Sequence, residues 1–484
     1  MRSPNPASTA RSAPIIPALD KDLCMALDIV IMAAGKGTRM KSARPKVLHR
    51  LAGRSLLDHV LQTASALGAD RIIVITGHGA EEVESIATGP RVHFVRQTPQ
   101  LGTGHAVQQA APVLDDEGTT LILNGDVPLV SAATARHLIE DCGGRRLALL
   151  TVELPDATGY GRVVRDAAGQ EVQAIVEHKD ASEAQRRIRE VYTGMMAAPT
   201  AQLKRWLARL KNDNVQAEYY LTDVVAMAVA DGVHVVATQA PSETEVLGVN
   251  SPAQLAELER RYQRAQAEAL MEAGVRLADP ARIDIRGELV CAPDVDIDVN
   301  CVFEGRVEIG EGARIGPHCY IRNATIAPRA VIHPFTHMDG EAQGVTVGAG
   351  ALVGPFARLR PGARLGEEVH IGNFVEVKNS TLGRGAKANH LAYLGDATVG
   401  ERVNYGAGSI TANYDGANKH RTVIGDDVHV GSNCVLVAPL TVGAGATIGA
   451  GSTIGKDAPP GELTVARAKQ FTLPGWKRPV KQQK

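Results

Sequence analysis

The sequence predicts an α/β protein in two parts: a mostly parallel sheet covered by helices, then, after a connecting helix, a parallel β-helix. Three observations carry this. Between residues 25 and 250, short apolar runs rich in β-branched residues ("LDIVIMA", "RIIVITG", "TLILNGD") alternate with amphipathic stretches such as "SLLDHVLQTASALG". Such alternation favours a parallel sheet with helices on both faces. Residues 251–274, "SPAQLAELERRYQRAQAEALMEAG", read as one helix. Ser251 can cap it, Pro252 suits its first position, and Gly274 can end it. Its apolar stripe is Leu255, Leu258, Tyr262, Ala265 and Leu270, and it spans roughly 35 Å as an arm between domains. From 275 to about 460 an apolar residue recurs every six positions: Ile309, Ile315 and Ile321; then Val347, Val353, Leu359, Leu365, Ile371 and Val377; then Ile424, Val430, Leu436, Val442, Ile448 and Ile454. In the last run five of the six are followed by glycine. A six-residue apolar period with small residues is the mark of stacked β-helix coils, each burying its apolar residues on the next.

The ends and the bulk composition bound the function. Residues 1–24 are rich in Ser, Pro and Ala without an apolar signal core, and read as a disordered extension. The β-helix domain runs over 275–484 and closes on a basic tail, "GWKRPVKQQK". The chain has 484 residues and a formal net charge of −1, so no global field favours nucleic acid or an anionic membrane. Aromatics make up 4% and glycines number 49, which points to tight turns and away from base-stacking platforms. No apolar run reaches the ~18 residues of a membrane span. Cys24, Cys142, Cys291, Cys301, Cys319 and Cys434 form no CxxC pair, so reduced thiols of a cytoplasmic protein are expected.

Ligands of parallel α/β sheets sit beyond the carboxyl ends of the strands. "MAAGKGTRM" follows the first strand, with Gly35 and Gly37 opening a turn that carries Lys36 and Arg39. Glycines let backbone N–H groups approach a phosphate, and a following helix would offer its N-terminus. The spacing fits neither a Rossmann fingerprint nor a Walker A loop. "LILNGDVPL" puts Asp126 at another strand end, where a carboxylate suits Mg²⁺ held partly by ligand phosphates, or serves as a plain turn residue. "QTPQLGTGHAV" adds Gln97 and glycine amides that can read a base edge.

In the β-helix, the six-residue beat stops at "GRGAKANHLAYLGDA", residues 383–397. His390 falls in this interruption beside Lys387, Tyr393 and Asp396. Acyl transfer to an amine needs a group that takes the amine's proton near neutral pH, and histidine is that type. His333 and His337, four residues apart, raise a metal-binding alternative, but Pro334 between them disfavours a helix presenting both.

The motifs "AAGKGTRM", Pro45-Lys46, "QLGTGHAV", "NGDVPL", "GYGR", "IVEHKDA" and "EYYLTD" resemble a sugar nucleotidyltransferase. Joined to "ARLRPGA", "GNFVEVKNS", "HLAYLGD" and "NYDGANKHRT", the whole of about 26–480 resembles the bacterial bifunctional N-acetylglucosamine-1-phosphate uridyltransferase and glucosamine-1-phosphate N-acetyltransferase family. The resemblance implies a Rossmann-like nucleotidyltransferase domain, a left-handed β-helix of hexapeptide repeats, a homotrimer sharing its acetyltransferase sites, and a product, UDP-N-acetylglucosamine, used for cell-wall and envelope polysaccharides. It implies UTP, acetyl-CoA, glucosamine 1-phosphate and N-acetylglucosamine 1-phosphate as substrates. By resemblance, Met32, Ala33, Ala34 and Gly35 border the uridine nucleotide, Lys46 meets its phosphates, and Gln97, Gly102 and Thr103 hold the uracil. Asp126 and Asn250 bind Mg²⁺; Gly161, Glu177 and Asn250 contact the sugar. His390 is the base and Glu376 orients its imidazole. Arg360, Lys378, Tyr393 and Asn404 hold glucosamine phosphate. Ala407, Asn413, Tyr414, Ser432, Ala450 and Arg467 line the acetyl-CoA groove. One position departs: the family has asparagine where this chain has Tyr192, in "EVYTG", and no sugar contact is carried over to it. A nucleotidyltransferase whose β-helix only regulates or oligomerises is the alternative.

Overall fold

The computed structural model describes residues 26–89 and 91–481. The expected disordered extension over 1–24 and Cys24 lie outside these. The described residues fall into two compact units, those within 1–49 and 55–255, and those within 50–54 and 256–484.

The first unit is built on a twisted sheet. Its main strands are β1 (Leu27–Met32), β2 (Arg71–Thr76), β3 (Val92–Arg96), β4 (Thr119–Asn124), β5 (Leu147–Glu153), β6 (Glu190–Pro199) and β7 (Val235–Gln239), in the order β7-β5-β6-β4-β1-β2-β3. Neighbours pair in parallel except β6, which runs antiparallel to both β4 and β5. A hairpin, Gly161–Arg165 with Val172–Val176, adds to β6. Ile29 and Ile31 belong to the apolar cluster on one face of β1, Val30 to the cluster on the other. That two-sided burial is why these strands read as nearly continuous apolar runs. The order places the ends of β1 and β4 side by side, with Met32 opposite Asn124.

The predicted helix appears as Pro252–Glu272. Of its stripe, Leu258 is buried. Gly274 follows with its N–H on the Met271 carbonyl.

The second unit is a parallel β-helix. Every residue of the six-residue beat named above is buried. Most successive coils pair in parallel at 17 or 18 residues (Arg358 with Glu376, His370 with Lys387, Glu376 with Tyr393), and longer coils at 21 or 25 (Val331 with Leu352, Ala397 with Thr422). One column of short strands forms an 11-stranded sheet. Two further columns merge through Tyr320–Ile326, which pairs with both His337–Asp339 and Val345–Val347.

A column of stacked side chains runs along one corner. His318, Phe335, Phe356 and Phe374 occupy the same turn of successive coils and stack with centroid spacings of 4.9, 5.0 and 5.4 Å. All four have φ between 56° and 61°, and Leu391 in the next coil follows at 51°. Bulky side chains rarely take this left-handed conformation, which costs roughly 1–2 kcal/mol per residue. Stacking offsets part of that cost. Phe335, Phe356, Phe374 and Leu391 are nevertheless about half exposed in the single chain. Residues 466–481 are exposed and form no strand or helix.

Candidate active sites

In the first unit, Met32, Ala33, Ala34 and Gly35 leave β1 and border a cavity of about 400 Å³, joined by Lys46, Gln97, Gly102, Thr103 and Asp126. The turn after β1 differs from the expectation. Thr38–Met40 is a single short 3-10 turn, so the turn after β1 brings no α-helix N-terminus to the cavity. Lys36 and Arg39 are exposed and outside the cavity lining. Positive charge comes instead from Lys46. Gly37 (φ 59°) carries the turn past it, and a side chain there would sit 2.7 Å from Lys46 Cβ.

The Lys46 ammonium bridges Asp126 Oδ2 at 2.5 Å and Asn250 Oδ1 at 3.1 Å. The Val249 N–H on the Asp126 carbonyl (2.9 Å) ties the irregular segment that carries Asn250 to the turn after β4. Two oxygens thus converge on one cationic position. An oxygen-only pair suits Mg²⁺, which keeps few protein ligands and completes its shell with water and phosphate. Among the described residues no three His, Cys, Asp or Glu side chains gather as a metal site, and His337 stacks on Tyr320 at 5.0 Å.

Gln97 is buried, and its amide donates to the Gly102 carbonyl at 3.0 Å. Thr103 Oγ1 accepts from the Leu221 N–H at 3.0 Å. These bonds hold the Gly102–Thr103 backbone at the start of the helix Thr103–Ala110. Gly161 and Glu177 lie on and just after the hairpin, outside the cavity lining. Burial pushes the Glu177 carboxyl up, opposed by a hydrogen bond from Thr222 Oγ1 at 3.0 Å.

In the second unit, the coil register decides which groups meet. Asn373 pairs with His390, and Glu376 with Tyr393. The imidazole accordingly finds Asn373, with Nδ1 2.9 Å from Oδ1. The expectation that Glu376 orients His390 is therefore corrected within this chain. Glu376 sits three residues further round the coil, where it accepts from Arg360 Nη1 at 2.8 Å and Arg358 Nη1 at 3.4 Å. It holds Arg360 in place. An Asn373 oxygen on Nδ1–H leaves Nε2 free to accept a proton.

Lys378 lies against Lys419, and that contact, with burial, lowers the Lys378 ammonium's pKa; Arg360 adds to the effect. Two facing cations beside a guanidinium form a position that an anion would relieve. Asp396 braces them: burial pushes its carboxyl up, but bonds from Asn379 (2.6 Å) and from Asn413 outweigh this and hold it low. Lys419 comes from an outgrowth of the coil, bridged at Tyr414 and Lys419. Within it Tyr414 is exposed, and Asp415 accepts from the 417 and 418 N–H groups. Asn404 is exposed on the strand column of Lys387 and His429. Ala407, Ser432 and Ala450 stack at one turn: the Asn433 N–H meets the Ala407 carbonyl, and the Gly451 N–H the Ser432 carbonyl, each at 2.8 Å. Arg467 closes the stack with a 2.6 Å bond to the Ala450 carbonyl.

Sequence reasoning missed Asn373 and Lys419. Both lie in quoted motifs, and counting back one 17-residue coil from His390 reaches Asn373.

Comparisons agree with this division. The family model described as MobA-like NTP transferase domain matches residues 29–276, and that of the bacterial transferase hexapeptide (six repeats) matches 344–379 and 421–456. The chain is 76% identical over 461 residues to "Bifunctional protein GlmU" of Methylibium petroleiphilum, covering 94% of this chain and 99% of that one. Proteins of the same name from Acidovorax sp. (68%, 95% of this chain and 99% of theirs) and Cupriavidus taiwanensis (60%, 95% and 100%) are also similar. Among solved structures, a UDP-glucose pyrophosphorylase complexed with UDP-glucose covers 50% of this chain and 100% of its own at 17% identity and a TM-score of 0.41. By identity and coverage along nearly its whole length, this chain belongs to the family of bifunctional GlmU proteins.

Proposed function

We propose that this chain makes UDP-N-acetylglucosamine in two steps: acetyl transfer from acetyl-CoA to glucosamine 1-phosphate on the β-helix, then uridylyl transfer from UTP to the acetylated sugar phosphate on the first unit. The observation that carries the reading is the coexistence in one chain of two separate charged sites. One is the Lys46–Asp126–Asn250 cluster at the β4 end; the other is the His390–Asn373 pair with Arg360, Lys378 and Lys419.

On the β-helix, the sugar amine attacks the thioester carbonyl, Nε2 of His390 takes its proton, and the C–S bond breaks to release CoA. Arg360 and Lys378, with Lys419, meet the sugar's phosphate; Tyr393 and Asn404 contact the sugar. The small residues at 407, 432 and 450 let the pantetheine lie close, with Asn413, Tyr414 and Arg467 along the groove.

On the first unit, a phosphate oxygen of N-acetylglucosamine 1-phosphate attacks the α-phosphorus of UTP, and the bond to pyrophosphate breaks. Little covalent work falls to the protein, so positioning and charge neutralisation dominate. Lys46 neutralises the phosphates, Gln97, Gly102 and Thr103 hold the base, and Gly161 and Glu177 seat the sugar. Asp126 and Asn250 would hold Mg²⁺, which would supply further charge stabilisation.

We further propose a cytoplasmic homotrimer. Support comes from the half-exposed aromatic column, which carries backbone strain and ends at Leu391 beside His390. Phe356→Asp should dissociate the trimer in light scattering and lower CoA release at least tenfold, with pyrophosphate release kept. An unchanged mass would remove the column from the interface. Incubating the protein with acetyl-CoA and glucosamine 1-phosphate tests the two-step reading: CoA release is expected, and its absence would leave a nucleotidyltransferase with a structural β-helix.

A further inference from the structure

Asp396 is a carboxylate that its coil buries among neutral groups. It is 7% exposed and takes a left-handed conformation at φ 49°. One carboxylate oxygen accepts from the Asn379 amide at 2.6 Å, the other from the Asn413 amide. These partners stand 17 residues before and after it, so an amide, a carboxylate and an amide stack at one corner of three coils. Hydrogen bonding alone does not demand the charge. Asparagine tolerates the same backbone, and at 396 it would accept from one neighbour and donate to the other once that amide turned over. A carboxylate buried against neutral amides is costlier than an amide in its place, so the charge calls for a use.

The same residue holds the outgrowth that carries Lys419. The outgrowth leaves the coil after Asn413 and returns at Thr422. The Asp396 side chain takes the departing end through the Asn413 amide. Its carbonyl takes the returning end, accepting from the Thr422 N–H at 3.2 Å, and its N–H donates to the Lys378 carbonyl at 3.1 Å. Across the neck, the His420 N–H meets the Asn413 carbonyl at 2.8 Å, and His420 Nε2 lies 2.6 Å from Asp415 Oδ2. Asp396 is thus bonded to both segments that supply the facing ammonium groups. The charged groups around Lys378 are Lys419, Arg360 and Asp396. Lys419 and burial lower the Lys378 pKa, and Asp396 opposes them. Arg360 is already held by Glu376, so the offsetting charge for the two lysines comes from Asp396. Tyr393 folds over Gly395, where any side chain would collide with its hydroxyl.

We propose that Asp396 is a positioning residue of acetyl transfer, which clasps both ends of the outgrowth and supplies the negative charge that lets the Lys378 and Lys419 ammonium groups stand together where the sugar's phosphate docks. The inference rests on the acetyl-transfer reading. Asp396 acts through the two lysines on the sugar phosphate, and through Asn413 and the outgrowth on the acetyl-CoA groove.

The test is steady-state kinetics of CoA release by the full chain, from neutral to alkaline pH. Asp396→Asn keeps the stack and removes the charge. The lysines then lose their protons at lower pH, so the rise of the glucosamine 1-phosphate KM with pH should begin about one unit earlier. At the neutral end, with both lysines still protonated, that KM should equal or fall below the wild-type value, because a negative charge near the phosphate is gone. The two curves therefore cross, whereas a packing defect would raise KM at every pH. The kcat at saturating substrates should change less than about threefold. Asp396→Ala removes the clasp as well, and should raise the KM values for glucosamine 1-phosphate and acetyl-CoA together by about tenfold, with pyrophosphate release unchanged. A KM–pH curve of Asp396→Asn parallel to wild type, or wild-type KM values for both substrates in Asp396→Ala, overturns the proposal. Wild-type protein that releases no CoA would overturn the acetyl-transfer reading instead.

Discussion

His390→Ala is expected to lower CoA release from acetyl-CoA and glucosamine 1-phosphate by about 10²–10⁴-fold, the range for removing a positioned general base. Pyrophosphate release should be unchanged, because every group at the Lys46 site lies in the other unit. The geometry behind the size of the effect is simple. His390 is exposed at the end of its strand, so its loss leaves no cavity, and the coil's stability should hold. Its Nδ1 faces Asn373 Oδ1 at 2.9 Å, which holds the ring. Asn373 is neutral, so it orients the imidazole without balancing the charge that forms on it. Asn373→Ala should therefore cost less than His390→Ala, with the loss in kcat. A Glu376 variant should act differently. Removing that carboxylate frees Arg360, so the acceptor KM should carry the main defect. Equal losses in kcat from Glu376 and His390 variants would restore Glu376 as the orienting group.

Asp126→Asn is expected to lower pyrophosphate release by about 10²–10³-fold, comparable to removing one group that stabilises transition-state charge. Asp126 is the carboxylate in a cluster whose other oxygen is the neutral amide of Asn250. Its loss leaves Lys46 without a counter-charge and the cation position with two neutral oxygens. The variant should fold, since the Asp126 carbonyl that accepts from the Val249 N–H is untouched. The Mg²⁺ concentration for half-maximal rate should rise, while CoA release stays at the wild-type level. A wild-type Mg²⁺ response in this variant would move the metal away from Asp126.

Much of the architecture was legible because it follows from periodicity. Ile424 to Ile454 recur every six residues and pair between coils at eighteen, Ile424 with Val442, Val430 with Ile448 and Leu436 with Ile454; burial of one residue per strand is all the beat encodes. Capping residues bounded the 252–272 helix, and two-sided burial made β1, β2 and β4 visible as apolar runs. The sites were legible less evenly. Lys46, Asp126 and Asn250 meet although they stand far apart in sequence, and their motifs came through resemblance rather than spacing. The partner of His390 was misread because contacts between coils follow the 17-residue register, which the interrupted beat around 383–397 obscures. Lys419 arrives through an outgrowth of its coil that no six-residue count can place. The helix expected after "MAAGKGTRM" is absent; Gly37 before it and Lys41 after it both take left-handed conformations and limit the helical turn to three residues. Tyr192 was legible as a departure from a family pattern, but the enclosure of its hydroxyl without a partner in the protein emerges only from the fold.

The central claim is that one chain carries out two reactions at two independent sites. It is tested most directly by giving wild type, His390→Ala and Asp126→Asn the same mixture of glucosamine 1-phosphate, acetyl-CoA, UTP and Mg²⁺, and measuring CoA and UDP-N-acetylglucosamine together. Wild type should form both. Asp126→Asn should release CoA and accumulate N-acetylglucosamine 1-phosphate with little nucleotide sugar. His390→Ala should form neither until N-acetylglucosamine 1-phosphate is added, and then form UDP-N-acetylglucosamine at the wild-type rate. UDP-N-acetylglucosamine made from glucosamine 1-phosphate by His390→Ala at the wild-type rate, or CoA release abolished by Asp126→Asn, would contradict the account.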